Sequence, residues 1–95
     1  MARIGFHESE DKLSAIKRDM HRAIVSLMEE RDANDWYNQR CDPCSDPELR
    51  SNLEHNRDEE KEHAAMLLEL IRRRDQKISG ELKRYLFSDK AIVGH

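Results

Sequence analysis

Between positions 49 and 70, the residues Leu49, Leu53, Asn56, Glu60, His63, Leu67 and Leu70 follow one another at spacings of four and three. Such a stripe keeps to one face of an α-helix, so the chain must bury that face against a helical partner. Glu60 and His63 occupy places in it where leucines belong. Upstream, Leu13, Ile16, Met20, Ala23, Leu27 and Glu30 repeat the pattern and bring a third ligand-type side chain onto a face expected to be buried. A carboxylate taken out of water without a partner costs several kcal/mol. Three such groups on two facing seams require a counter-ion, and one metal ion can satisfy all of them.

Local signals set out the elements. Residues 1–8 hold Gly5 and little periodicity, and read as a mobile leader. Ser9, followed by Glu10 and Asp11, has the form of an N-cap with acids in the first turn, where the macrodipole favours negative charge. The helix it opens is expected over 9–38, on the order of 45 Å long. Asp42-Pro43 marks a turn within a connection of about seven residues, since a residue before proline is driven out of helical dihedrals. A second helix is expected over 45–74, opened either by Ser45 and Glu48 as a capping box or by Asp46 with Pro47 at the first helical position. After a break between Asp75 and Gly80, a short helix over 78–87 sets Ile78, Leu82, Tyr85 and Leu86 on one side, and a tail over 88–95 frays. The expected fold class is all-α: a single domain over 1–95, an antiparallel two-helix hairpin plus a short C-terminal helix, dimerising into a four-helix bundle.

Composition bears on partners. With 39% charged residues against 37% hydrophobic, and five aromatics among 95 residues, the supply for a self-contained core is lean, so a homo-oligomer is expected. A net charge of -3 with both signs interleaved excludes a basic grip on nucleic acid. No apolar run approaches the ~20 residues of a membrane span, and the N-terminus lacks an apolar signal core, so a soluble, non-secreted protein is expected. Cys41 and Cys44 are too few and too close for a disulfide scaffold, which favours a cytosolic setting.

Two helices cannot enclose a site, but two hairpins supply four. Bundles that hold two irons draw a Glu from each of two helices and a Glu-x-x-His from each of the other two. Glu30 with Glu60 and His63, doubled by a twofold axis, makes that set, and four carboxylates offset the charge of two ferrous ions; the alternative is an internal ion pair of Glu60 and His63 across a coiled-coil seam, which fixes register at a cost in stability. Beside this centre, His55, Glu59 and Glu62 form a stripe that either holds metal in transit or is a solvated face paired to Arg57 and Lys61. Glu29, Asp32 and Trp36 also align, to gather cations or, for Trp36, to anchor an interface. Tyr37 either reaches a metal from the partner subunit or packs, and His21 is read as exposed. Cys41 and Cys44 have the spacing of half a zinc or redox site; they are either incidental or form a reversible disulfide across the turn.

The stretches HRAIVSLMEE, DWYNQR and HNRDEEKEHAAMLLELIRR, with the later YLF, reach across most of residues 21–87 and resemble the encapsulated ferritins. The resemblance implies a ferroxidase centre on Glu30, Glu60 and His63 binding two irons per dimer interface, with Tyr37 close by. It implies a metal-uptake site on Glu29, Asp32 and Trp36 and an outer patch on His55, Glu59 and Glu62, taking calcium or other divalent ions. Asp32 stands where a longer glutamate is familiar. Dimers in that family assemble into a decameric ring held inside an encapsulin shell, an encapsulin nanocompartment in the bacterial or archaeal cytoplasm. Its members often carry a C-terminal Gly- and Leu-containing address for the shell. None follows Gly94-His95, so the expectation is either a longer natural chain or targeting by other means. The expected function is ferroxidase action, Fe(II) to Fe(III) with dioxygen, feeding iron storage in the shell. The alternatives are a non-catalytic helical adaptor and a zinc or redox module on the cysteine pair.

Overall fold

The computed structural model describes residues 5–94, and residues 1–4 of the expected leader and residue 95 of the tail lie outside them. A 3-10 turn at Glu10–Lys12 precedes three helices, α1 (Ala15–Cys41), α2 (Pro47–Arg74) and α3 (Gln76–Tyr85). Among the described residues there is no strand. α1 and α2 pack along one another as a hairpin, and α3 folds back against α2. No helix among the described residues is long and apolar enough to cross a membrane.

Ser14, and not Ser9, opens α1, accepting a hydrogen bond from the Lys17 amide at 3.1 Å. A cap of this kind contributes about 1 kcal/mol. Ser9 instead precedes the 3-10 turn and makes no side-chain cap bond, and Leu13 is extended between the two. The described part of the leader lies back on α1, where the Phe6 ring stacks on His21 with centroids 4.6 Å apart. Val25, one turn beyond His21, is buried at 9% exposure and lines the same recess as Phe6. His21 is half-buried, so the reading of it as exposed is corrected; the cause is an aromatic contact across fifteen residues that no periodicity encodes.

At the other end α1 runs to Cys41, three residues past the expected stop, which shortens the connection to 42–46. Asp42 keeps helical dihedrals (φ -58°, ψ -53°) although it precedes Pro43. The local preference is overridden where the Cys44 amide donates to the Cys41 carbonyl at 3.2 Å and closes the turn. Of the two openings for α2, the structure takes Asp46 with Pro47 at the first helical position; the Asp46 carboxylate accepts from the Glu48 amide at 3.1 Å.

Asp75 alone separates α2 from α3. Its extended backbone (φ -134°, ψ 102°) ends one helix while its carboxylate caps the next by accepting from the Ile78 amide at 3.0 Å. α3 therefore starts at Gln76, and Gly80 lies inside it rather than in a break. The corner is clasped by Arg72, whose guanidinium donates to both Glu69 carboxylate oxygens at 2.6 and 2.7 Å and to Ser79 Oγ at 3.0 Å. Hydrogen bonds from Arg72 first, then Arg73, hold the Glu69 carboxyl down from an ordinary 4.5 to about 2. A depressed carboxyl stabilises the fold above its unfolded value and loses that contribution as pH falls through the folded one. Amide-exchange protection of α3 is accordingly expected to decline between pH 4.5 and about 2, and Glu69→Gln to remove that pH dependence.

The apolar stripes are far from fully covered. Val25, Cys41 and Ile71 are the buried hydrophobic residues among those described, while Ile16 and Leu49 of the stripes stand 78% and 50% exposed and Met66, outside them, 63%. The chain shows 7909 Å² of accessible surface at 11.3 kDa, against ~5700 Å² for a compact monomer of that mass. Its radius of gyration is 17.1 Å, where a compact chain of this length has about 12 Å. The excess surface is comparable with what a stable protein interface buries.

Candidate metal centre

Glu30 sits midway along α1, and Glu60 and His63 lie one turn apart midway along α2. The hairpin brings them together. His63 Nδ1 is 3.4 Å from Glu30 Oε2 and 3.8 Å from Glu60 Oε2. One donor atom from each residue lies within 4.8 Å of the others, and among the described residues this is the one His, Cys, Asp or Glu group so gathered. Glu30 and Glu60 are 26% and 22% exposed and His63 is 48% exposed, so the cluster opens toward the uncovered side of the hairpin.

Glu30 Oε2 is itself buried and has no hydrogen-bond partner. His63 Nδ1 lies close but out of line for a hydrogen bond, leaving a charged acceptor desolvated and unsatisfied. An arrangement of that kind costs roughly 1–3 kcal/mol or more for a charged group. Two carboxylate oxygens and one imidazole nitrogen converging from two helices suit a divalent transition metal, for which mixed oxygen and nitrogen ligands are common. A metal bound at Nδ1 would leave Nε2 of His63 as the nitrogen that carries the proton.

A strut that sequence patterning overlooked holds the two helices in register beside the cluster. Asn34, one turn beyond Glu30, donates from Nδ2 to the Arg57 carbonyl at 3.0 Å, one turn before Glu60. The signal was present, since Asn34 continues the stripe of Glu30 at a spacing of four. A polar residue at such a position has its hydrogen bond to α2 as its reason for being there.

The remaining candidates are more dispersed. On α1, Glu29 is exposed, Asp32 half-buried and Trp36 51% exposed. Tyr37 is half-buried and carries the Arg40 guanidinium over its ring at 5.4 Å. On α2, His55 Nε2 pairs with Glu59 Oε1 at 2.8 Å, while Glu62 is exposed a turn further on. Arg57 and Lys61 both turn to Asp58, at 3.1 and 3.6 Å, and not to the His55, Glu59 and Glu62 stripe. Cys41 is buried and Cys44 half-buried, both as free thiols.

Comparison with known proteins gives a consistent set of relatives. A family model described as EncFtn-like matches residues 5–89. The chain is 55% identical over 87 residues to the encapsulated ferritin-like protein of Rhodospirillum rubrum, covering 92% of this chain and 62% of that protein. It thus spans less than two thirds of that relative's length. It is 49% identical over 88 residues to the ferritin-like protein of Thermotoga maritima, covering 93% of this chain and 77% of that one. Among solved structures it is similar to the crystal structure of protein ne0167 from Nitrosomonas europaea, with a TM-score of 0.90 and 59% identity over 95% of this chain and 99% of that one.

Proposed function

The chain belongs to the EncFtn-like family, and from that premise we propose that it is a ferroxidase, oxidising Fe(II) to Fe(III) at a centre shared between two copies. The observation that carries this reading is the buried, unpartnered Glu30 Oε2 set against His63 and Glu60. A twofold axis beside this half-open cluster doubles it to four carboxylates and two imidazoles, the donor set of a two-iron bundle.

Ferrous iron is the substrate. Glu30 and Glu60 bind it and neutralise its charge, and the cation takes the place of the hydrogen bond that Glu30 Oε2 lacks. His63 supplies Nδ1 and keeps its proton on Nε2, away from the metal. Dioxygen accepts the electrons, and the ferric product leaves for storage. Asn34 acts by holding α1 and α2 in register, since a shift of one helical turn, about 5.4 Å, would separate Glu30 from His63.

Around this centre, Tyr37 reaches the metal held with the partner subunit, and Glu29, Asp32 and Trp36 collect cations at its mouth. His55, Glu59 and Glu62 hold metal, calcium or another divalent ion, in transit on the outer face; the His55–Glu59 pair is already at 2.8 Å. The exposed apolar residues support a homo-oligomer, which we take to be dimers assembled into a decameric ring. Following the name of the encapsulated ferritin-like relative from Rhodospirillum rubrum, we place the ring inside an encapsulin shell, in the cytoplasm of a bacterium or archaeon, where the ferric product accumulates.

The test is crystallographic. Crystals soaked anaerobically in ferrous iron are expected to show two anomalous peaks at the iron edge, related by a twofold axis and flanked by His63 from each copy. Peaks confined to the outer patch, with none at Glu30 and Glu60, would sink the proposal.

A further inference from the structure

Outside the carboxylate and imidazole cluster, the chemically reactive group still without a role is the cysteine pair at the hairpin apex. Cys41 closes α1 at 3% exposure, and Cys44 stands half-buried in the connection. Both are free thiols. The hydrogen bond from the Cys44 amide to the Cys41 carbonyl, 3.2 Å long, closes residues 41–44 into a turn. A four-residue turn holds its first and last Cα atoms within ~7 Å, and disulfides span Cα pairs ~4.4–6.8 Å apart. The turn therefore brings the two backbones close to the spacing that a disulfide spans. The Cys44 thiol donates to the Asp46 carbonyl at 3.7 Å, a weak bond whose loss frees the sulfur to turn toward Cys41.

We propose that Cys41 and Cys44 form a peroxide-reducing dithiol, a second redox site separate from the metal cluster and independent of the iron reading. The sulfur of Cys44, the less buried of the two, attacks hydrogen peroxide: an S–O bond forms, the O–O bond breaks, and one oxygen departs as water, leaving a sulfenic acid. The Cys41 sulfur then attacks Cys44. An S–S bond forms, the S–O bond breaks, and the hydroxyl leaves as water with the Cys41 proton. In sum, two thiols and one hydrogen peroxide give one disulfide and two waters, and an external thiol restores the pair by exchange. Unequal burial assigns the roles, the less buried Cys44 meeting the oxidant and the buried Cys41 resolving it.

The test uses the full chain without iron, treated with equimolar hydrogen peroxide, alkylated and weighed intact without reductant. The expected product is a monomer lighter by about 2 Da, with no alkyl adduct and full recovery by dithiothreitol. Cys41→Ser is expected to leave a dimedone-reactive sulfenic acid at Cys44, and the double serine variant to show no change in mass with peroxide. Since the wild-type mass needs no variant, a folding defect in Cys41→Ser leaves the test intact. Unreacted thiols, an interchain disulfide, or oxygen added at Cys44 without the mass loss would each overturn the proposal.

Discussion

Replacing Glu30 or Glu60 with alanine is expected to lower the initial rate of ferrous-iron oxidation by roughly 100-fold or more, since even groups one shell further from a metal cost 10–100-fold when removed. In the proposed two-copy centre each variant deletes two carboxylates. The loss therefore exceeds that of an isolated ligand, and the remaining groups cannot offset the charge of two ferrous ions. The rate is read from the absorbance of the ferric product under air, at matched protein concentration. His63→Ala is expected to follow, with a smaller effect because an imidazole contributes no charge. Asn34→Ala should reduce the rate less than any of these while weakening metal affinity, because it holds the helices and touches no metal. Wild-type rates in both glutamate variants would dismiss the centre altogether.

Stability should move the other way. Glu30 Oε2 is a buried acceptor with no hydrogen-bond partner, so Glu30→Gln, which keeps the shape and removes the charge, is expected to stabilise the metal-free protein by about 1 kcal/mol. For a domain of this size that raises Tm by roughly 4–8 °C. Ferrous iron added anaerobically should invert the order. A ligand at ~100 times its Kd stabilises the folded wild type by about 2.7 kcal/mol, whereas the glutamine variant gains little. Thermal unfolding of both proteins at one concentration, with and without iron, checks the crossing. A variant no more stable than wild type without metal, and equally stabilised by iron, would mean that the buried carboxylate oxygen is not a metal-binding feature.

Much of this was legible in the linear pattern. Glu60 and His63 share a face because residues three apart on a helix always do, and their place in an apolar stripe set them toward the facing helix, although His63 stands 48% exposed in the single chain. Asp46 and Pro47 announced the start of α2, and the structure uses them. Legibility failed where a distant contact overruled a local preference. Ser9 had the form of a helix start, but the chain straightens at Leu13 and begins α1 at Ser14. Phe6 and His21 carried no periodic signal, and their stacking exists only because the leader folds back. Asp75 serves two helices at once, so a break that composition spread over six residues contracts to one.

What the sequence by itself determined is helical phase: which side chains lie on one face, and hence that an all-α hairpin carries Glu30 on one seam and a Glu-x-x-His on the other. Phase is local, because each backbone hydrogen bond of a helix closes within a few residues of itself. Only the tertiary structure decided that the two seams meet at the same height, with His63 Nδ1 3.4 Å from Glu30 Oε2. That height is set by a connection shortened to 42–46 and by the Asn34 bond to the Arg57 carbonyl. Neither can be read along one helix, because the sliding of one helix past another is governed by contacts between residues far apart in the chain.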